Sequence, residues 1–245
     1  MDCARLTRYG VLSVSGEDAR DFLHAQLTND IQNLPADRAA LAGWCSAKGR
    51  LLATFLVIPS PGGFLLQLSR DLAPAVAKRL SMFVLRAKVT VTDESDSWQQ
   101  FGCWGSSQDA DVHWEGSVGT VKVDAGRYLK LGRGLSLNET RGEEAWALDE
   151  IRAGRPLITA ATQDQFVPQM VNLETLGGVN FQKGCYPGQE IVARAQYRGQ
   201  VKRRMVHATA PAGVKLEPGA EFSGGTVVNV APAENGSELL AVMPI

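Results

Sequence analysis

Histidine is scarce in this chain of 245 residues: His24, His113 and His207 form no HExxH or similar pair. The four cysteines (Cys3, Cys45, Cys103, Cys185) lie far apart, with no CxxC and no histidine-spaced partner. That argues against a disulfide framework, a zinc finger or a housed iron–sulfur cluster, and no metal site is expected. Long apolar runs are missing too. The longest, residues 51–58, is far short of the ~20 residues that span a bilayer, so no membrane partner is expected. The opening residues Met1 to Arg8 lack the apolar core and small-residue cleavage pattern of a signal peptide. A cytoplasmic protein with reduced thiols is the expectation. Net charge is absent as well, at −1 from 25 basic and 26 acidic residues. A protein that tracks nucleic acid with its whole surface is far more basic, so nucleic acid is not the expected partner and any anion site is local. GxGxxG and GxxxxGK[ST] do not occur, and neither nucleotide-binding fold has its signature.

What is present is the composition of an ordinary globular protein, 44% apolar and 21% charged. Val11–Val14 alternates as a strand, and Ser15 is the expected cap of a helix whose Ala19, Phe22, Leu23, Gln26 and Leu27 share one face. Residues 51–58 and 64–68 read as strands joined through Pro59–Gly63. Asp71 opens a second helix with Leu72, Val76, Leu80 and Phe83 inward, and Lys88–Thr92 is a strand. The Gly-rich stretch 93–140 is opaque, apart from a hairpin over 118–131. Residues 143–153 form a third helix stopped by Gly154 and Pro156. After Met205, three apolar alternations between Gly/Pro turns read as a small β-sheet or barrel. The whole is α+β.

The stretch that carries chemistry is Val179 to Arg194. Pro187 suits a first helical position, so Cys185 precedes a helix N-terminus, where unpaired N–H groups and the helix dipole favour an anion. If residues 179–185 are extended, Lys183 and Cys185 point to one side. An ammonium and a helix start are both settings that lower a thiol pKa. A lone cysteine is more often an inert small hydrophobe, but these flanking residues reverse that weighting. Residues 183–204 also hold six basic side chains against one acid, a local patch able to attract an anionic ligand tail or an acidic partner.

Lys183-Gly184-Cys185-Tyr186-Pro187-Gly188-Gln189-Glu190 resembles the K-G-C-Y-x-G-Q-E signature of the YgfZ family of folate-binding, iron–sulfur maintenance proteins. The resemblance takes in 151–156, 166–173, 176–179, Gly199 and Lys202-Arg203, and near the start Gly16–Ala19, Leu27–Ile31 and Ala47–Arg50. It implies kinship with the T-protein of glycine cleavage, a folate-dependent aminomethyltransferase. The fold implied is a T-protein-like α+β ring of two interleaved ferredoxin-like subdomains over residues 1–200, with boundaries near 45 and 140. A small C-terminal β-barrel over 201–245 completes it. The T-protein carries aspartates where Gly49-Arg50 is followed here by Leu51-Leu52-Ala53-Thr54. Acid–base help for aminomethyl transfer needs an ionisable group in reach, so that activity is not expected.

The cofactor implied is tetrahydrofolate or a one-carbon derivative. A flat, polar-edged pterin suits aromatic walls with a few hydrogen bonds. The resemblance points to Tyr9, where relatives can carry tryptophan, and to Trp146, with Tyr186, Gln189 and Glu190 of the signature. Helical geometry sets Trp146 off the expected Leu148/Ile151 core face. Cys185 and Lys183 are the candidate catalytic pair. Three functions are weighed: a tetrahydrofolate-binding factor that supports assembly or repair of iron–sulfur proteins through Cys185, with those client or assembly proteins as partners; a folate-dependent one-carbon transferase; and a non-catalytic binding module.

Overall fold

The computed structural model describes residues 1–105, 111–199 and 201–245. Its strands are β1 (Asp2–Arg5), β2 (Tyr9–Ser15), β3 (Ala40–Cys45), β4 (Leu51–Ser60), β5 (Gly63–Ser69), β6 (Thr90–Asp93), β7 (Gln99–Trp104), β8 (Val112–Glu115), β9 (Val118–Lys122), β10 (Arg127–Gly132), β11 (Arg203–Pro211), β12 (Glu221–Phe222), β13 (Gly225–Ala233) and β14 (Gly236–Pro244). Four α-helices accompany them among the described residues: α1 (Ala19–Gln26), α2 (Ala73–Ser81), α3 (Glu143–Arg152) and α4 (Gln189–Tyr197). They make three antiparallel sheets, in the orders β1-β7-β10-β9-β8, β3-β4-β5-β2-β6 and β11-β14-β13-β12. The chain leaves the first sheet after β1, builds the whole second sheet, and returns at β7, so the two are interleaved.

Two-sided burial explains why residues 51–58 read as an unbroken apolar run. Phe55 and Val57 of β4 join Leu12, Val14, Leu66 and the inward faces of α1 and α2 in one core. Ile58 of β4, with Tyr9, Val11 and Leu65, faces the first sheet across a second core containing Leu129, Leu131 and Trp146. Phe22 and Leu23 of α1 and Val76 and Leu80 of α2 turn inward as the periodicity requires. Phe83 stays exposed, because the helix has ended before it. Asp18, not Ser15, occupies the N-cap of α1, and it makes no side-chain cap bond there. The third sheet curls through a register shift between Val227 and Asn229 and forms a half-barrel, with β11 and β12 as its unjoined edges.

A further expectation is overturned. Cys3 and Cys103 form a disulfide, so only Cys45 and Cys185 are free thiols. The two sulfurs meet because Cys3 and Cys103 face each other in the β1–β7 register, with Cα atoms 4.1 Å apart. A separation of 100 residues gives no spacing signal for such a pair.

Candidate functional site

The signature loop is seated by the family-like segments that precede it. Thr28, fully buried, donates to the carbonyl of Gly178 at 2.6 Å and accepts the N–H of Gly43 at 2.7 Å. Asn29 donates to the carbonyls of Leu41 and Gly177. Gln169, also fully buried, donates to the carbonyl of Val192 and so ties α4 to the chain upstream. Gly188 sits at the N-cap of α4 with φ of +77°, and Gly49 in the β3–β4 turn has φ of +68°. The two backbones touch. A Cβ on Gly188 would lie 2.3 Å from the Ser46 carbonyl oxygen, and one on Gly49 would lie 2.7 Å from Ile191 Cβ.

The approach to Cys185 is not extended. Asn180 Oδ1 accepts the N–H groups of Gln182 and Lys183, and this turn sends Lys183 inward while Cys185 stays exposed. The period-two alternation therefore fails here. Lys183 Nζ donates to the carbonyls of His24 and, at 2.6 Å, Leu27, capping the C-terminus of α1. Its ammonium lies 4.9 Å from the centre of the Tyr186 ring. Burial pulls the Lys183 amine down to about 8, with the charges of Asp30 and Cys185 pulling the other way. Tyr186 is buried with no partner for its hydroxyl among the described residues, and burial, then Cys45, raises its pKa. Cys45 beneath is pushed up to about 12, mainly by burial. Iodoacetamide is thus expected to label Cys185 in the native protein and to reach Cys45 only after unfolding. Mass spectrometry showing equal labelling of both would contradict this arrangement.

A cavity of about 470 Å³ opens where α3 meets the first two sheets. Such a volume suits a cofactor-sized ligand. Tyr9, Trp146, Glu150, Arg155, Gln67 and Asn29 contribute to its wall. Trp146 does not lie off the core face as helical phase predicts: Trp146, Ala147 and Ile151 form the buried face of α3, and Leu148 is half-buried. The indole lies on bare backbone at Gly102, where a Cβ would come within 2.2 Å of the ring, and Trp104 packs edge-on at 5.6 Å. The Arg127 guanidinium stands 4.9 Å from the ring centre. Tyr9 is buried at the start of β2, and burial, then the charge of Glu150, raises its pKa.

Glu150 and its two arginines are the polar corner that sequence reasoning missed. Glu150 Oε1 meets Arg127 Nη1 at 2.9 Å and Arg155 Nη1 at 3.0 Å. Burial raises the Glu150 carboxyl above the usual carboxylate range, against the pull of both arginines. Arg127 arrives on β10 and is held by Asp124 of the preceding turn at 2.6 Å. Only the Gly154-Arg155-Pro156 stop after α3 signalled this corner, and it reads equally as a helix terminator.

Tyr9 and Trp146 therefore meet in the cavity, whereas Lys183, Cys185, Tyr186, Gln189 and Glu190 are not on its wall among the described residues. The two places are joined through the Thr28-Asn29 and Gly177-Gly178 seam, since Asn29 and Gly177 line the cavity. Of the basic run, Lys183, Arg203 and Arg204 are engaged with α1, Gly224 and Glu174, while Arg194, Arg198 and Lys202 are exposed.

No family model matches the chain. It is 30% identical to the tRNA-modifying protein YgfZ of Vibrio atlanticus, over 96% of this chain and 82% of that one. It is 29% identical to the protein of the same name from Escherichia coli O157:H7, over 97% and 83%. Among solved structures it superposes on the glycine cleavage system aminomethyltransferase T of Bartonella henselae with a TM-score of 0.75. The identity there is 13%, over 99% of this chain and 78% of that one, and the likeness establishes the fold.

Proposed function

The chain belongs to the YgfZ family, and from that premise we propose that it binds a tetrahydrofolate in the α3 cavity and supports the assembly or repair of iron–sulfur proteins through Cys185. The observation that carries the folate reading is the pairing of a fixed aromatic wall with a half-buried carboxylate. Trp146 and Tyr9 offer apolar surface for a flat ring. Glu150 Oε2 has no hydrogen-bond partner among the described residues, while Oε1 is held by both arginines. A pterin presents adjacent N–H donors on its aminopyrimidine edge, which such an oxygen accepts. The residues fit the cofactor, whose chemistry when bound is carriage of a one-carbon unit. Relatives that are named tRNA-modifying suggest, as clients, iron–sulfur proteins that act on tRNA.

The test has two arms. Calorimetric titration with tetrahydrofolate should give saturable binding, weakened about tenfold or more in Glu150→Gln, since a hydrogen bond to a charged group contributes ~1.5–3 kcal/mol, and weakened also in Trp146→Phe, which trims the aromatic wall. Cells carrying Cys185→Ala should lose activity of iron–sulfur enzymes while the variant folds normally. No heat of binding in the first arm, or full support in the second, removes the corresponding half of the reading. A one-carbon transferase is the second reading, favoured by the raised Glu150 carboxyl on the cavity wall. Turnover of a methylated amine with tetrahydrofolate, lost in Glu150→Gln, would select it.

A further inference from the structure

We propose that Gln67 on the cavity wall selects the reduced form of a pterin, its side-chain carbonyl accepting a ring N–H that the fully oxidised ring lacks, and that Gln100 is the positioning residue that fixes this polarity. The inference rests on the folate reading of the cavity and names the oxidation state of that ligand which the site takes. A glutamine amide ordinarily offers either end to a ligand, because a half-turn of the side chain exchanges its oxygen and nitrogen. At Gln67 the half-turn is barred.

The lock starts at the backbone. The Tyr9 carbonyl can only accept, so Gln100 presents Nε2 to it, at 3.0 Å. Gln100 Oε1 then faces the other way and accepts Gln67 Nε2 at 2.7 Å, a bond from the first sheet to the second. Turning Gln67 over would set two amide oxygens against each other. Turning Gln100 as well would set its oxygen against that of Tyr9. Gln100 is buried on β7, away from competing solvent. Gln67 lies on β5 between Leu66 and Leu68, which point into the core beneath α1 and α2. Period-two alternation sends Gln67 to the opposite face, beside Leu56 of β4, where both line the cavity. It is half-buried there, and its Oε1 has no partner among the described residues. The ligand's chemistry decides what this oxygen reads. Ring nitrogen N8 carries a hydrogen in a tetrahydropterin and a bare lone pair in the fully oxidised ring. An oxygen held as an acceptor stabilises the first and repels the second, and specificity is that difference of affinities. Glu150 does not make the distinction, because the aminopyrimidine edge has its N–H donors in both oxidation states.

The test is anaerobic calorimetric titration of the full chain with tetrahydrofolate and with folic acid. The parent should bind tetrahydrofolate about tenfold or more the tighter, the effect of facing a buried acceptor with no donor. Gln67→Met, close in size and without the acceptor, should bring the two affinities within roughly threefold of each other. Gln100→Met should do the same, because it frees the Gln67 amide to turn. A merely structural role for Gln100 would weaken both ligands alike and leave the parent's ratio. A parent ratio below tenfold overturns the proposal, and so does a Gln67→Met ratio equal to the parent's. Should Gln100→Met fail to fold by circular dichroism, Gln67→Met decides alone. Equal binding of both ligands by the parent leaves the folate reading standing while this one falls, whereas no heat with either removes both.

Discussion

Gly188→Ala is expected to lower stability by about 3 kcal/mol and to unseat the loop that carries Cys185. Two costs add. A non-glycine residue held at φ of +77° is strained by ~1–2 kcal/mol. The new methyl would also stand 2.3 Å from the Ser46 carbonyl oxygen and 2.7 Å from Gly49 Cα, which are backbone atoms that cannot swing aside. Urea unfolding measures the sum. Gly213→Ala separates the parts: Gly213 has φ of +89° and open space around its Cα, so its loss should be about 1 kcal/mol from strain alone. Equal losses at the two positions would show that the Gly49–Gly188 contact contributes nothing.

The second large effect is a dependence on pH. The Lys183 amine is pulled to about 8 in the fold, against an ordinary 10.5. Between those values the unfolded chain binds more protons than the native one, so this group makes stability rise with pH. Its penalty is fully present below pH 8 and is relieved as pH approaches 10.5. The stability of the parent minus that of Lys183→Met should therefore grow by about 3 kcal/mol across that window. Measuring the difference cancels Tyr9, Tyr186 and Cys45, whose raised values act in the opposite sense in both proteins. Parallel curves for the two proteins would mean that the ammonium is not desolvated beside α1.

Elements with one strong period were legible in the sequence. The faces of α1 and, Phe83 apart, α2, the β4–β5 hairpin and the stop after α3 stand where apolar spacing and turn residues put them. The first sheet was mostly hidden. Asp2–Arg5 is only four residues long, and Gly102 in the middle of β7 reads as a strand breaker. That glycine is there because the Trp146 ring needs its bare backbone. The same contact explains why helical phase misplaced Trp146, since phase locates a face of α3 but not which neighbouring sheet covers it. The candidate site divided along similar lines. An eight-residue signature marked Cys185, whereas Glu150 carries no local motif and owes its position to Arg127 on a distant strand and Arg155 across a turn. Lys183 was misdirected by a single turn at Asn180.

The pairing of residues 2–5 with residues 99–104 has a consequence for biosynthesis. At ~5–20 residues per second, a ribosome takes roughly 5–20 s to make the partner of a strand it has already released. During that interval the second sheet can close on α1 and α2, while Tyr9, at the start of the next strand, has no opposite wall. The cavity is thus a late product of translation, and a nascent polypeptide arrested before α3 emerges does not yet possess it.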